Sequence, residues 1–182
     1  MEKTVWTKKD YLVVALRILL VVASIIMMLF IFSNSLKAGE ESSAQSSEVV
    51  EVVQKVAAVI APDSEIANAT GEAYDKLHGA VRVIAHICEF TALGILFSWC
   101  ASSYTLHKKV QIYPCAAMAG VAVVDEILQS FLPDRAFEFT DILLDIFGGA
   151  VGIAVAVLLV WCGCVLYRKS REKRAALAQT KE

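Results

Sequence analysis

Four stretches of this chain, residues 11–32, 80–101, 110–132 and 142–167, are apolar for long enough to cross a bilayer. A helix crosses the roughly 30 Å of hydrocarbon in about 20 residues, and only helices or closed barrels satisfy their backbone groups there. The composition agrees, at 57% apolar and 20% charged, where soluble domains run nearer about 45–50% apolar. The sequence therefore predicts an all-α, polytopic membrane protein with four transmembrane helices in one small bundle, a single domain over residues 1–182. The first stretch follows a basic N-terminus, but it is too long for a signal-peptide core and ends without an A-x-A-like cleavage site, so it is expected to be retained.

Lys and Arg close to the spans set the orientation. Lys3, Lys8 and Lys9 precede the first span, Lys108 and Lys109 lie between the second and third, and Arg168, Lys169, Arg171, Lys173, Arg174 and Lys181 fill the tail 168–182. All three groups fall on one side of a four-span chain, which makes that side, with both termini, cytoplasmic in a cell-membrane protein. The segment 33–79 carries Lys37, Lys55 and Lys76 against eight acids and belongs outside. Cysteine usage fits: Cys100, Cys115, Cys162 and Cys164 sit near cytoplasmic ends, Cys88 reads as buried in the second span, and the external segments have none. No disulfide is expected, and the basic tail reads as retained positive charge rather than as a nucleic-acid surface.

The external segment contains an amphipathic helix. Val49, Val52, Val53, Val56, Ala57, Val59 and Ile60 follow helical spacing opposite Glu48, Glu51, Gln54 and Lys55. Ser46 or Ser47 is its expected N-cap and Pro62 its end. Such a helix either lies on the outer leaflet or caps the bundle.

Ionisable groups inside spans cost at least about 2.5–3.5 kcal/mol each near the bilayer centre, so their placement carries the functional information. In "AVRVIAHICEFTALGILFSW", Arg82, His86 and Glu89 share one stripe of the second span, roughly 60° wide at 100° per residue. Asp125, Glu126 and Gln129 close the third span, Arg135 follows in the link, and Asp141 and Asp145 open the fourth. All nine fall at outer-leaflet depth. Asp125 and Glu126 are adjacent, so only one of them lines up with Gln129. Arg17 reads as a snorkelling side chain without a role. Asp141 can serve the fourth helix's positive end with Thr140 as its N-cap. Gly148, Gly152 and Ala156 continue the Asp141–Asp145 stripe as a small-residue packing seam, which turns that stripe inward. A salt-bridged network that only fastens the bundle is the plain alternative, weakened because buried ion pairs stabilise poorly.

The order of these segments resembles the VanZ-like membrane proteins. "FSNS" at 32–35, "RVIAHICEFTALG" at 82–94, "DEILQSFLPDR" at 125–135 and "DILLDIFGG" at 141–149 follow the family's pattern nearly throughout the chain. Phe90, Asp134 and Asp145 depart from it, standing where the pattern has Tyr, Gly and Asn. A carboxylate at Asp145 calls for a salt bridge to Arg82 or Arg135, or for a neutral acid.

The resemblance implies lowered susceptibility to lipid-tailed glycopeptides of the teicoplanin type. Membrane lipids are then the surroundings, and a lipid-linked cell-wall precursor or the lipidated drug is the expected ligand. Arg82 and Arg135 would hold a phosphate, Gln129 and His86 would complete the hydrogen bonds, and Glu89, Asp125, Asp141 and Asp145 would orient those donors or take an amine or sugar hydroxyl. The alternative is a membrane-embedded, metal-dependent transferase or hydrolase on an envelope lipid. No cofactor is evident, and one His without HExxH or paired-His spacing gives a divalent metal no support from ligand spacing. Ser33 and Ser35 offer hydroxyls but read as a helix end. A small transporter subunit, working as a homo-oligomer, is the third reading, though no repeat or broken-helix pair is visible.

Overall fold

The computed structural model describes residues 7–37, 39–133 and 135–179; Asp134, with Lys3 and Lys181, lies outside them. In chain order come α1 (Lys8–Ser35), α2 (Gly39–Ile60), α3 (Glu72–Ser102), a 3-10 helix (Lys108–Gln111), α4 (Ile112–Gln129) and α5 (Phe139–Gln179). No strand occurs among the described residues. Four helical segments, Lys8–Ser35, Glu72–Ser102, Lys108–Gln129 and Phe139–Arg174, are long and apolar enough to cross a membrane. The chain is the all-α polytopic bundle that its sequence predicts. Leu12, Leu29, Leu158 and Trp161 are each more than half exposed on the outside of the bundle, as side chains facing lipid are.

Lipid tails are as apolar as leucine, so spans associate by close packing and hydrogen bonds rather than by hydrophobic exclusion. α3 and α5 do this most extensively and form the central pair. A Cβ on Gly148 would stand 2.8 Å from the Ile87 carbonyl oxygen, and one on Gly152 or Gly94 would overlap the Thr91 or Gly149 carbonyl. Thr91 Oγ1 donates to the Gly148 carbonyl at 2.9 Å across this contact. Gly149 meets Met118 of α4, and Ala156 is fully buried. The Gly148–Gly152–Ala156 seam is thus as expected, and Gly94 is its counterpart on α3. Around it Ile31, Phe90, Leu93, Met118, Ala122 and Ile142 form the apolar core.

Several local expectations are corrected. α2 begins at Gly39 rather than at a Ser46 or Ser47 cap, because Ser and Gln cost little in a helix interior. It ends at Ile60, before Pro62, and packs on α3 with Val50 buried. Gln54 Nε2 donates to the Ala69 carbonyl at 2.9 Å and ties α2 to the following loop. α5 begins at Phe139, so Thr140 is helical and not the N-cap, and it continues through much of the basic tail. Cys88 is exposed on the surface of α3 rather than buried. Arg17 does not simply snorkel: its NH2 group donates to the Ser103 carbonyl at 2.8 Å, and its guanidinium sits 4.3 Å over the Tyr104 ring. A cation at the C-terminal end of α3 is well placed against the helix dipole.

The seam predicts an asymmetry between two glycines. Gly152→Ala forces the two backbones apart and is expected to destabilise the bundle by about 1–3 kcal/mol. Gly120→Ala in α4, where an added Cβ meets nothing within 4 Å, should stay within about 0.5 kcal/mol of wild type. Thermal unfolding in one detergent, monitored by circular dichroism, compares them.

Candidate functional site

α1 and α4 end where α3 and α5 begin, and nearly all of the polar residues expected in the site meet there. α3 carries Arg82, His86 and Glu89 one above the other. The close approach at Ile87 and Gly148 fixes α5 beside it, and Asp145, one turn before Gly148, comes to face His86. His86 Nδ1 and Asp145 Oδ1 are 3.7 Å apart, with Asp145 almost wholly buried. Asp145 therefore pairs with His86. No ion pair from Arg82 or Arg135 reaches it among the described residues, contrary to the expected salt bridge.

Asp125 enters from α4 and is fully buried. Its Oδ2 accepts from Ser35 Oγ at 2.9 Å and from Gln129 Nε2 at 2.7 Å. Gln129 uses its other end as an acceptor, taking Arg135 NH1 at 2.6 Å. A hydrogen-bonded chain thus runs from Ser35 at the end of α1 through Asp125 and Gln129 to Arg135 in the link after α4. Asp125 Oδ1 is the one buried side-chain polar atom among the described residues without a hydrogen-bond partner. Such atoms are rare, because an unmet buried acceptor carries its full desolvation cost. Glu89 is held in parallel: its Oε1 accepts from Asn34 Nδ2 at 2.7 Å, and Asn34 Oδ1 accepts from Lys37 Nζ at 2.9 Å.

Glu126 is buried but faces elsewhere. Its Oε1 accepts from the Glu138 backbone N–H at 2.5 Å and pins the α4–α5 link. Adjacent residues a hundred degrees apart on a helix separate in this way, so Asp125 alone shares a line with Gln129.

Two pockets open off this network. One of about 410 Å3 is lined by Arg82, His86, Gln129, Arg135, Asp141 and Asp145 together with Gly79, Val83 and Leu144. The other, of about 550 Å3, lies between α2 and α3, lined by Val49, Val53, Val81 and Ile84 and by Asn34, Ser46, Glu48 and Glu89. Arg82 and His86 border both.

His86, Asp125 and Asp145 form a further grouping: one ligand-capable atom of each lies within 4.8 Å of the others. The three come from α3, α4 and α5, so no local spacing announces them. Asn34 had no role assigned from the sequence and Ser35 read as a helix end; "FSNS" at a span end was the available sign.

A family model described as VanZ/LLP1 matches residues 20–161, which reaches into all four spans and takes in the whole of this network. No curated protein and no solved structure matches the chain.

The shared oxygen makes a prediction. Ser35→Ala and Gln129→Leu each remove a donor to Asp125 Oδ2, and each should lower stability by about 1–3 kcal/mol. Because both act on one buried acceptor, the double variant should depart from the sum by about 0.5 kcal/mol or more. Additive losses in the same thermal assay would show that the two donors do not serve one network.

Proposed function

The chain belongs to the VanZ/LLP1 family of membrane proteins, and from that premise we propose that it binds the phosphate-bearing head of a lipid-linked cell-wall precursor, or a lipid-tailed glycopeptide, at the outer leaflet. Lowered susceptibility to teicoplanin-type drugs is the consequence of that binding. The observation that carries the reading is the pair of pockets sharing Arg82 and His86. One is lined mainly by charged and hydrogen-bonding groups; the other is the more apolar, joining Val49, Val53, Val81, Ile84 and Ala85 to Asn34, Ser46, Glu48, Glu89 and the two shared residues. An amphiphile has the same division, and a ligand seated on Arg82 has a polar chamber for its head and an apolar one for its chain.

Arg82 and Arg135 line the polar pocket without an ion-pair partner among the described residues. Guanidinium groups are the side chains best suited to phosphate oxygens, which they grip through two parallel donors. Asp141, half-buried in the same pocket, suits an amine or a sugar hydroxyl. The charge asymmetry of the loops supports the outer-leaflet placement. Binding is favoured over covalent transfer because the Ser35 hydroxyl is buried and already donates to Asp125.

Expression in a glycopeptide-sensitive host tests this. Wild type should raise the inhibitory concentration of teicoplanin severalfold and leave that of vancomycin, which has no lipid tail, unchanged. At matched membrane levels Arg135→Ala, His86→Ala and Glu89→Gln should return it to the level of the empty host. Variants that protect as well as wild type would reduce the polar set to a fastening of the bundle.

A further inference from the structure

We infer that His86, Asp125 and Asp145 form a binding site for a divalent first-row metal cation, Zn2+ or Mn2+. The three residues come from three helices, and one ligand-capable atom of each falls within 4.8 Å of the others. Neighbouring ligands of one ion stand roughly 2.8–3.6 Å apart, given metal–ligand lengths of about 2.0–2.2 Å. The set therefore closes by up to about 1–2 Å as an ion binds. The 3.7 Å between His86 Nδ1 and Asp145 Oδ1 is too long for a hydrogen bond and suits two neighbours around a common ion.

A second, independent observation is the orphaned oxygen. Asp125 is fully buried, its Oδ2 is doubly hydrogen-bonded, and its Oδ1 has no partner. The same carboxylate belongs to the grouping with His86 and Asp145, so a cation supplies what this residue lacks.

Charge leads to the same place. Asp125 and Asp145 are two buried carboxylates whose one cationic neighbour is an imidazole, with the Glu89 carboxylate a turn away on α3. Arg82 and Arg135 pair with neither Asp125 nor Asp145 among the described residues, and Asn34, Ser35 and Gln129 bring hydrogen bonds but no charge. A dication balances the two Asp carboxylates and leaves the imidazole neutral, the form in which it ligates. One imidazole and two carboxylates suit Zn2+ or Mn2+ better than Ca2+ or Mg2+, which prefer oxygen alone.

His86 and Asp145 line the polar pocket, so an ion held by the three residues would stand beside it. A phosphate oxygen placed there would bridge the ion and the two arginines. That bridging role rests on the function proposed above, whereas the ion site does not.

Titration of the purified full chain in detergent with ZnCl2 or MnCl2 tests the site directly, after chelation and with no lipid or drug added. One equivalent should bind saturably and raise the thermal midpoint, and CaCl2 and MgCl2 should do so far more weakly. Asp125→Asn and Asp145→Asn keep shape and hydrogen-bonding capacity, and each should weaken binding by tenfold or more. His86→Ala should do the same, whereas Glu51→Gln, on the exposed face of α2, should bind as wild type. Absence of saturable Zn2+ and Mn2+ binding by folded wild type would overturn the inference, as would unchanged binding by the Asn variants or a preference for Ca2+. Arg135→Ala separates the two readings: it should still take up the ion while failing to protect cells. Ion binding without drug protection by wild type would sink the proposed function alone.

Discussion

The close approach of α3 and α5 decides what the rest of the bundle can be. Gly94, Gly148 and Gly152 let two backbones meet where any side chain would overlap a carbonyl. In lipid, such contact replaces the missing hydrophobic drive for helix association. It also fixes register. Gly148 packs on Ile87, whose neighbour along the chain is His86, and Asp145 lies three residues before Gly148 on the same stripe of α5. Once the seam closes, His86 and Asp145 must face one another. Packing and chemistry here are two parts of one stripe, tight below and polar above.

A polar end of a bundle in lipid is held together by partners for its buried groups, since each unmet one carries its desolvation cost. The chain meets this mostly with neutral donors. Ser35 and Gln129 serve Asp125, Asn34 serves Glu89, and the Glu138 backbone serves Glu126. Lys37 and Arg135 enter one step removed, through the carbonyl ends of Asn34 and Gln129. The arginine side chains are therefore not consumed in salt bridges to the carboxylates. This arrangement suits a site that recognises charge better than it suits a brace, because a brace would be expected to neutralise its own groups directly.

Much of this was legible in the sequence because hydropathy and helical spacing are one-dimensional. The four spans, the Arg82–His86–Glu89 stripe and the Gly148–Gly152–Ala156 seam each lie within a single helix and can be counted along it. What crosses between helices was not legible. Gly94 looked like any glycine in an apolar run until Gly149 stood opposite it. Ser35 and Asn34 looked like a frayed helix end, and their bonds to Asp125 and Glu89 span 90 and 55 residues. The His86–Asp125–Asp145 grouping has one member in each of three helices, so no spacing rule finds it. Hydropathy also misjudged the helix ends: α5 runs on to Gln179 because a basic, alanine-containing tail is helical by propensity although it is polar.

α2 completes the argument for an amphiphilic ligand. Four spans alone would leave the α3 stripe facing lipid on one side, and a bare Arg82 there would have to snorkel to the surface. With α2 packed against α3, the stripe instead borders an open groove that Val49, Val53, Val81 and Ile84 line together with Ser46 and Glu48. Arg82 and His86 then stand at a boundary between apolar and polar surroundings that belongs to the protein itself. A free phosphate would need only the polar pocket, and a simple acyl chain only the apolar one. The construction of both around the same two side chains favours a molecule that carries a charged head and a long apolar tail.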